Sequence, residues 1–374
     1  MDFSYSEEQQ ALRELAARLL GQRFTDAHRK AFARGGAPYD AELWAMLARA
    51  GLLGTAFSAA AGGSGLGLTE LGLLLEEQGR SLAQLPLMAT LVLGALPLQR
   101  FGTPAQCALL PRIAAGELLV TAALEEPAGG DLQRPVTAAA ASAQGWAVTG
   151  VKTCVPYGAQ ARHLLVAARL ASGSGLLLVE RGAPGVRIEP QRSTSGEPQV
   201  LVTLSGVRLA PGDLVGDQHG EALAWLIERA HVALAAQQLG VVEEALRRTA
   251  AYVSERQQFG RPLGSFQAVQ HRLADGYIAV EALRSAYLRA VWALDHDVPD
   301  AAAVRAAKWW AARAGHQVSH TAQHLHGGLG ADVEYPIHAF FLRAKQLELS
   351  LGGATQMLAE IGAQLAGDGV PAFT

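Results

Sequence analysis

Disulfide chemistry is nearly closed to this sequence. Its 374 residues include two cysteines, Cys107 and Cys154. That is too few for a disulfide framework, and they lack the CxxC spacing of a metal site, so a reducing cytosol is the expected setting. Charge is scarce and balanced. Charged residues make up 17% of the chain, and 31 Lys plus Arg face 34 Asp plus Glu for a net charge of −3. No basic surplus remains to hold a nucleic acid or an anionic membrane surface. Long apolar runs are missing as well. No residue between Arg80 and Arg100 is charged, but Gln84, Pro86, Pro97 and Gln99 interrupt the stretch. A membrane span needs about 20 apolar residues, so this segment reads as a buried helix of a large core. The opening MDFSYSEEQQALRELAARLL has no basic segment leading into an apolar one, and does not read as a signal peptide.

What is present is a large apolar fraction. At 50% hydrophobic residues the chain reads as packed and globular rather than disordered. At about 150 residues per domain the length suggests two or three domains. Residues 1–118 carry a helical pattern. Ser6 followed by Gln9 makes a capping box, Asp40 can cap a helix through Leu43, Trp44 and Leu47, and Thr69 can cap one running to Gly79. Thr103-Pro104 is an N-cap followed by proline at the first helical position, with Gly116 closing that helix. Over residues 119–217 the texture changes to short Val, Leu and Ala runs cut by Gly, Pro and Ser, such as WAVTGVKTCV, HLLVAAR, GLLLVE, GVRIEP and VLVTLSGV. That spacing predicts a small antiparallel barrel or sandwich. Over residues 218–374 long helices return, near Glu221–Arg256, Phe266–Leu294 and Asp300–His326, as in a bundle.

Three short segments carry candidate chemistry. Arg256-Gln257-Gln258-Phe259-Gly260-Arg261-Pro262, continuing to Phe266 and Gln267, sits where a long helix ends. An arginine there can fork onto a pyrophosphate, and a phenylalanine can pack on a flat ring. Gln323-His324-Leu325-His326-Gly327-Gly328 places adjacent glycines where a backbone can approach a phosphate. His324 and His326 lack a helical ligand spacing, so no metal is expected. Glu125-Glu126-Pro127-Ala128-Gly129-Gly130-Asp131 forms an acidic turn. Each segment alone reads first as a helix end or a solvated turn rather than as a site.

In this order and at these distances they carry more. The opening MDFSYSEEQQ, EEPAGGD, GWAVTGVKTCV, RQQFGRPLGSFQAVQHRLAD and HLHGGLGADVEYP resemble, over nearly the whole chain, the acyl-CoA dehydrogenase family. The resemblance implies an α+β architecture with an N-terminal helical domain, a middle antiparallel β barrel or sandwich and a C-terminal four-helix bundle. It also implies FAD, removal of hydrogens from Cα and Cβ of an acyl-CoA thioester, a glutamate base, and an electron-transfer flavoprotein as electron acceptor. In that family each FAD is shared. The middle domain holds it in cis, and the arginine-phenylalanine run and glycine pair reach it from the neighbouring subunit.

Against that pattern the two halves of this chain differ. Arg256, Phe259, Gln267, Gly327 and Gly328 match the lending half, with His324 where a glutamine is usual. The receiving half departs. Glu125 replaces a hydroxyl residue, Gly130 a serine, Cys154 an aromatic and Pro156 a threonine. A carboxylate about 4 Å from a reduced, anionic flavin costs about 4 kcal/mol at an effective dielectric near 20, and Pro156 brings neither a hydroxyl nor an N–H. The usual glutamate falls on Gly352 or Leu351. The alternative position in some members falls near Ala230, with Glu228 the nearest carboxylate but on another helix face. Glu243 and Glu244 look like solvated charges.

A chain that matches the lending half and not the receiving half resembles one member of the paired bacterial subunits that act on bulky acyl-CoA thioesters such as steroid side chains. A cytoplasmic heterotetramer with a second acyl-CoA dehydrogenase-like subunit is the resulting expectation, and Gly352 and Gly353 are compatible with room for a bulky acyl group but equally with the close of a helix. A self-sufficient homomeric enzyme with a relocated base and a flavin-free scaffold of the same fold remain as alternatives.

Overall fold

The computed structural model describes residues 3–368. The first helix, α1 (Glu7–Arg23), starts on the reciprocal box of Ser6 and Gln9. After α2 (Asp26–Gly35), Asp40 accepts from Leu43 N to open α3 (Ala41–Arg49). Two cap expectations fail. The next helix, α4, spans Leu68–Ser81, so Thr69 is its second residue rather than its cap, and Glu70 receives the Gly67 N–H instead. The uncharged stretch after Arg80 is buried as expected. It forms a π-type turn over Met88–Ala95 that runs into α5 (Leu96–Phe101). Thr103 does cap a helix, but α6 (Pro104–Cys107) lasts one turn, and α7 (Leu110–Ala114) begins anew before Gly116. Pro111 is the cause, since it has no N–H to give and crowds the carbonyl four residues back. Among the described residues no helix is long and apolar enough to cross a membrane.

The chain divides into two compact units. The first unit to be described comprises Phe32–Leu71 and Gln84–Ala230 and is centred on a sheet. Its strands are β1 (Val120–Ala123), β2 (Ala138–Ser142), β3 (Gly145–Pro156), β4 (His163–Arg169), β5 (Ser174–Glu180), β6 (Val186–Arg192), β7 (Pro198–Leu209) and β8 (Leu214–Val215). They lie in the order β6-β7-β3-β2-β4-β5-β8, with β1 on β4. Most pairings are antiparallel, but β1 and β2 run parallel to β4. All four residues of β1 are buried, the condition parallel strands favour. Strand β3 is bulged between Lys152 and Val155, where Cys154 takes a positive φ of 52°. Gln191 of β6 repairs the ladder there, accepting from Cys154 N at 2.8 Å and donating to Thr153 Oγ1 at 2.9 Å.

The other unit takes the chain up to Ala31, Gly72–Ala83 and everything from His231 on. Its long helices are α8 (Glu221–Glu255, which begins in the sheet unit), α9 (Gln267–Asp295), α10 (Ala301–Leu325), α12 (Ile337–Leu349) and α13 (Ala354–Asp368). The short hairpin β9 (Gln257–Gln258) with β10 (Arg261–Pro262) and the one-turn helix α11 (Gly328–Ala331) connect them. Central α10, capped by Asp300, packs on α9, α12 and α13. Where α4 meets α8 the backbones touch. A Cβ on Gly79 would overlap Gln237 O, and one on Gly240 would overlap Glu76 O. Beside this crossing lies an ionic cluster. Arg13 donates to Glu76 and Glu77, Arg80 to Glu76, Glu77 and Glu243, and Arg284 to Glu243. Glu244 is buried against Arg247 and Arg248, each at 2.7 Å. Glu243 and Glu244 are therefore structural ion-pair members, not the solvated charges expected from sequence. Helical spacing cannot reveal the distant partners of Glu243, Arg80 and Arg284, whereas Arg247 and Arg248 lie three and four residues past Glu244 and were open to that reading.

Candidate functional site

The residues expected to lend contacts occupy two exposed places. At the end of α8, Arg256 N is bonded to Tyr252 O, and Leu263 N returns to Arg256 O at 2.8 Å, closing the β9–β10 hairpin. Its two-residue loop is Phe259-Gly260, with φ of 55° and 78°. Two positive φ values give the hairpin turn that matches strand twist, but Asn-Gly is its favoured sequence, not Phe-Gly. Phe259 is 88% exposed, and Arg256 and Gln267 are exposed as well. At the end of α10, His324 faces outward while His326 is buried and stacked on Tyr252 at 4.3 Å. Gln323 turns inward, with its Oε1 buried and finding no hydrogen-bond partner. Of the two neighbours, His324 is therefore the one presented. Gly327 has a φ of 59°, and a Cβ on Gly327 or Gly328 would meet nothing within 4 Å. A guanidinium, an amide, an imidazole, a flat ring and open glycine backbone thus all face outward, the donors a pyrophosphate and a flat heterocycle need.

The receiving set lies in the sheet unit. Glu125 is half-buried, and its carboxylate acts on the Cys154 thiol. Burial pushes that thiol's pKa up, the Thr153 hydroxyl opposes the rise, and the Glu125 charge adds to it. The structure thus sets a carboxylate beside a reluctant thiol, at the two positions where the resemblance implies a hydroxyl and an aromatic. Pro156 pairs with Gln199 in the ladder. Gly130 is exposed with a φ of 121°. Next to Glu125, Glu126 is held by Lys152 Nζ at 2.9 Å and by the N–H groups of Val136 and Thr137 at 2.7 Å each. Although partial burial works against it, these bonds hold the Glu126 carboxyl at a pKa of about 2. Lys152 is fully buried, and burial lowers its pKa while Glu126 pulls it back up. Glu125, Cys154 and Pro156 offer no donor hydroxyl toward a flavin ring, and Gly130 offers none toward a pyrophosphate, so the side chains of this set suit FAD poorly, whereas the outward set carries the donors and the flat ring that a nucleotide would need.

The positions for a base are occupied by other chemistry. Leu351 and Gly352 turn the chain from α12 into α13 with φ of 53° and 107°. A Cβ on Gly352 would stand 2.9 Å from Met357 Cε. On α8, Ala230 is fully buried. Glu228 lies 3.6 Å from Arg229, whose guanidinium also sits 3.9 Å above the Trp225 ring. The next residue, His231, went unnoticed in the sequence. It is fully enclosed, and its Nε2 donates to Leu351 O at 2.9 Å. Burial, helped by the charge of Lys308, holds its pKa at about 4. Lys308 is itself fully buried and donates to Leu347 O at 3.0 Å and Glu348 O at 3.1 Å, the free carbonyls at the end of α12. A lone cation or imidazole inside an apolar helical run was the available signal for both.

Models of the acyl-CoA dehydrogenase N-terminal, middle and C-terminal domains match residues 6–117, 121–203 and 221–366. The acyl-CoA dehydrogenase FadE27 of Mycobacterium tuberculosis is 37% identical, over 98% of this chain and 99% of that protein. Among solved structures, a variant of the Tcur3481-Tcur3483 steroid ACAD superposes with a TM-score of 0.93 at 45% identity, covering 97% of this chain and 98% of that one. A chain from the crystal structure of the ChsE4-ChsE5 complex from Mycobacterium tuberculosis superposes with a TM-score of 0.92 at 38% identity, covering all of this chain and all of that one. With its helical, β and helical segments in family order, the chain belongs to the acyl-CoA dehydrogenase family, flavoenzymes that use FAD to oxidise acyl-CoA thioesters.

Proposed function

We propose that this chain is the flavin-lending subunit of a hetero-oligomeric acyl-CoA dehydrogenase, working with a second, catalytic acyl-CoA dehydrogenase-like subunit on a bulky thioester such as a steroid side chain. One contrast carries the reading. Arg256, Phe259, Gln267, His324, Gly327 and Gly328 all face outward, while no carboxylate stands at Gly352 or Ala230. Arg256 would fork onto the pyrophosphate of the partner's FAD, Phe259 would pack on its ring, and the two glycines would admit the nucleotide without a side chain in the way. Bound FAD supplies the acceptor for the electrons that leave the acyl chain, and an electron-transfer flavoprotein takes them on. Removal of the Cα proton belongs to the partner's carboxylate. Glu228 is committed to Arg229 and lies on another face of α8 from the family position. The likeness to chains from a structure described as a Tcur3481-Tcur3483 steroid ACAD and from a ChsE4-ChsE5 complex supports this reading of a second subunit and of the substrate class.

The test compares two variants in the assembled complex. A charge-assisted fork is worth about 1.5–3 kcal/mol. Arg256→Ala should therefore weaken FAD retention about ten- to a hundredfold at about 1.4 kcal/mol per decade, with partial recovery in added FAD. Pro156→Ala should change FAD content little. The reverse pattern would mean that the chain binds its own flavin and that the lending role is wrong.

A further inference from the structure

Phe259 is an unusual residue for its place. It is 88% exposed, sits at a φ of 55° and forms the hairpin loop with Gly260. An exposed aromatic ring at a loop tip, free of neighbours, would populate three staggered side-chain orientations. Here it is not free. The Phe266 ring meets it edge to face, with centroids 6.1 Å apart and planes at 85°. Phe266 is in turn covered by the guanidinium of Arg261, whose Cζ lies 4.1 Å from the ring centroid. The order Arg261, Phe266, Phe259 is a stack running from β10, through the residue that opens α9, to the tip of the loop. A guanidinium over a ring face draws on the negative face of the π system, and the edge-to-face pair then aims the ring's positive edge at its neighbour's negative face.

We infer that Arg261 is a positioning residue for Phe259, acting through Phe266. It holds Phe266 in the orientation that selects one rotamer of the exposed ring, so that Phe259 is already aimed when a planar heteroaromatic ligand arrives. This rests on the reading that Phe259 meets the partner's flavin ring. The magnitude follows from counting rotamers. Losing the buttress lowers the competent fraction of Phe259 toward about one third, and apparent affinity falls by the same factor.

The experiment titrates FAD into the assembled, deflavinated complex and reads quenching of flavin fluorescence, with the visible flavin band as a second signal. Arg261→Met should weaken FAD binding about threefold, and Arg261→Lys, which keeps a cation over the ring, should recover most of the loss. Phe266→Leu should reproduce Arg261→Met, and combining the two should add nothing. In a Phe259→Ala background Arg261→Met should have no further effect. If the Arg261→Met loss persists undiminished without Phe259, Arg261 touches the ligand or the partner directly and the positioning role is overturned. If Phe259→Ala by itself leaves FAD binding unchanged, the flavin reading fails and this inference fails with it. Melting of the free chain should be the same for parent and Arg261→Met, because the guanidinium and both rings lie at the surface.

Discussion

His231 Nε2 donates to the carbonyl of Leu351, 120 residues further along the chain, at 2.9 Å. The acceptor is a carbonyl, so Nε2 must carry the hydrogen, and the imidazole must stay neutral inside a fully buried site beside Lys308. The bond ties α8, one residue past Ala230, to the turn one residue before Gly352. The turn at Gly352 and the stretch of α8 at Ala230 are thus held by backbone and imidazole chemistry, and neither position carries a carboxylate.

A neutral, buried histidine leaves a trace in the pH dependence of stability. The folded pKa of about 4 lies below the ordinary 6.5, so between those values the unfolded chain binds the extra proton. Stability from His231 is complete above about pH 6.5 and is lost as pH falls toward about 4, by up to about 1.4 kcal/mol per pH unit. Denaturant unfolding from pH 7.5 to 4.5 should show this decline. His231→Gln keeps a donor for Leu351 O and should flatten the curve over that window. Parallel curves for the two proteins would mean the imidazole titrates normally.

The turn at Gly352 resists restoration of a base. A side chain there must accept a φ of 107° and a contact with Met357 Cε at 2.9 Å. Backbone strain of that kind costs about 1–3 kcal/mol. Gly352→Ala and Gly352→Glu should both lower the melting temperature, and Gly352→Glu should give the isolated chain no ability to reduce an artificial electron acceptor with acyl-CoA. Activity appearing on that single change would show that the carboxylate was the only missing part.

Lys152 and Glu126 depend on each other. With Lys152 fully buried, Glu126→Gln strands a cation in the sheet unit and should cost about 3–5 kcal/mol of unfolding free energy. The double variant Glu126→Gln with Lys152→Met should regain most of it. Because the Glu126 pKa is depressed to about 2, its contribution is present above about pH 4.5 and disappears as pH falls toward 2. A Glu126→Gln chain as stable as the parent at neutral pH would show that the pair adds nothing net.

Much of the architecture was legible because caps and strands are local. Ser6 with Gln9, Asp40 and Asp300 start helices through bonds spanning three residues, and the apolar runs around Leu164–Val166 and Leu176–Val179 are the buried strands β4 and β5. Thr69 and Gly116 misled for a different reason. Good capping chemistry does not force a helix to begin or continue where Glu70 offers an alternative acceptor or Pro111 intervenes. The outward-facing residues were readable as motifs, since their order along the chain is the signal. Lys152, His231 and Lys308 were not. Their partners are a residue 26 positions away and carbonyls 120 and about 40 positions away, and a backbone carbonyl has no sequence identity to recognise.

The close approach of α4 and α8 at Gly79 and Gly240 bears on how such a subunit can diversify. Because each glycine faces the other helix's backbone, neither position tolerates even one added methyl group without separating α4 from α8. This crossing can change only by moving two helices at once, a step that a single base change in the gene does not provide. A library that diversifies the helical unit should therefore leave residues 79 and 240 fixed and place its changes on either side of them, where new shapes can accumulate around an unmoved pivot.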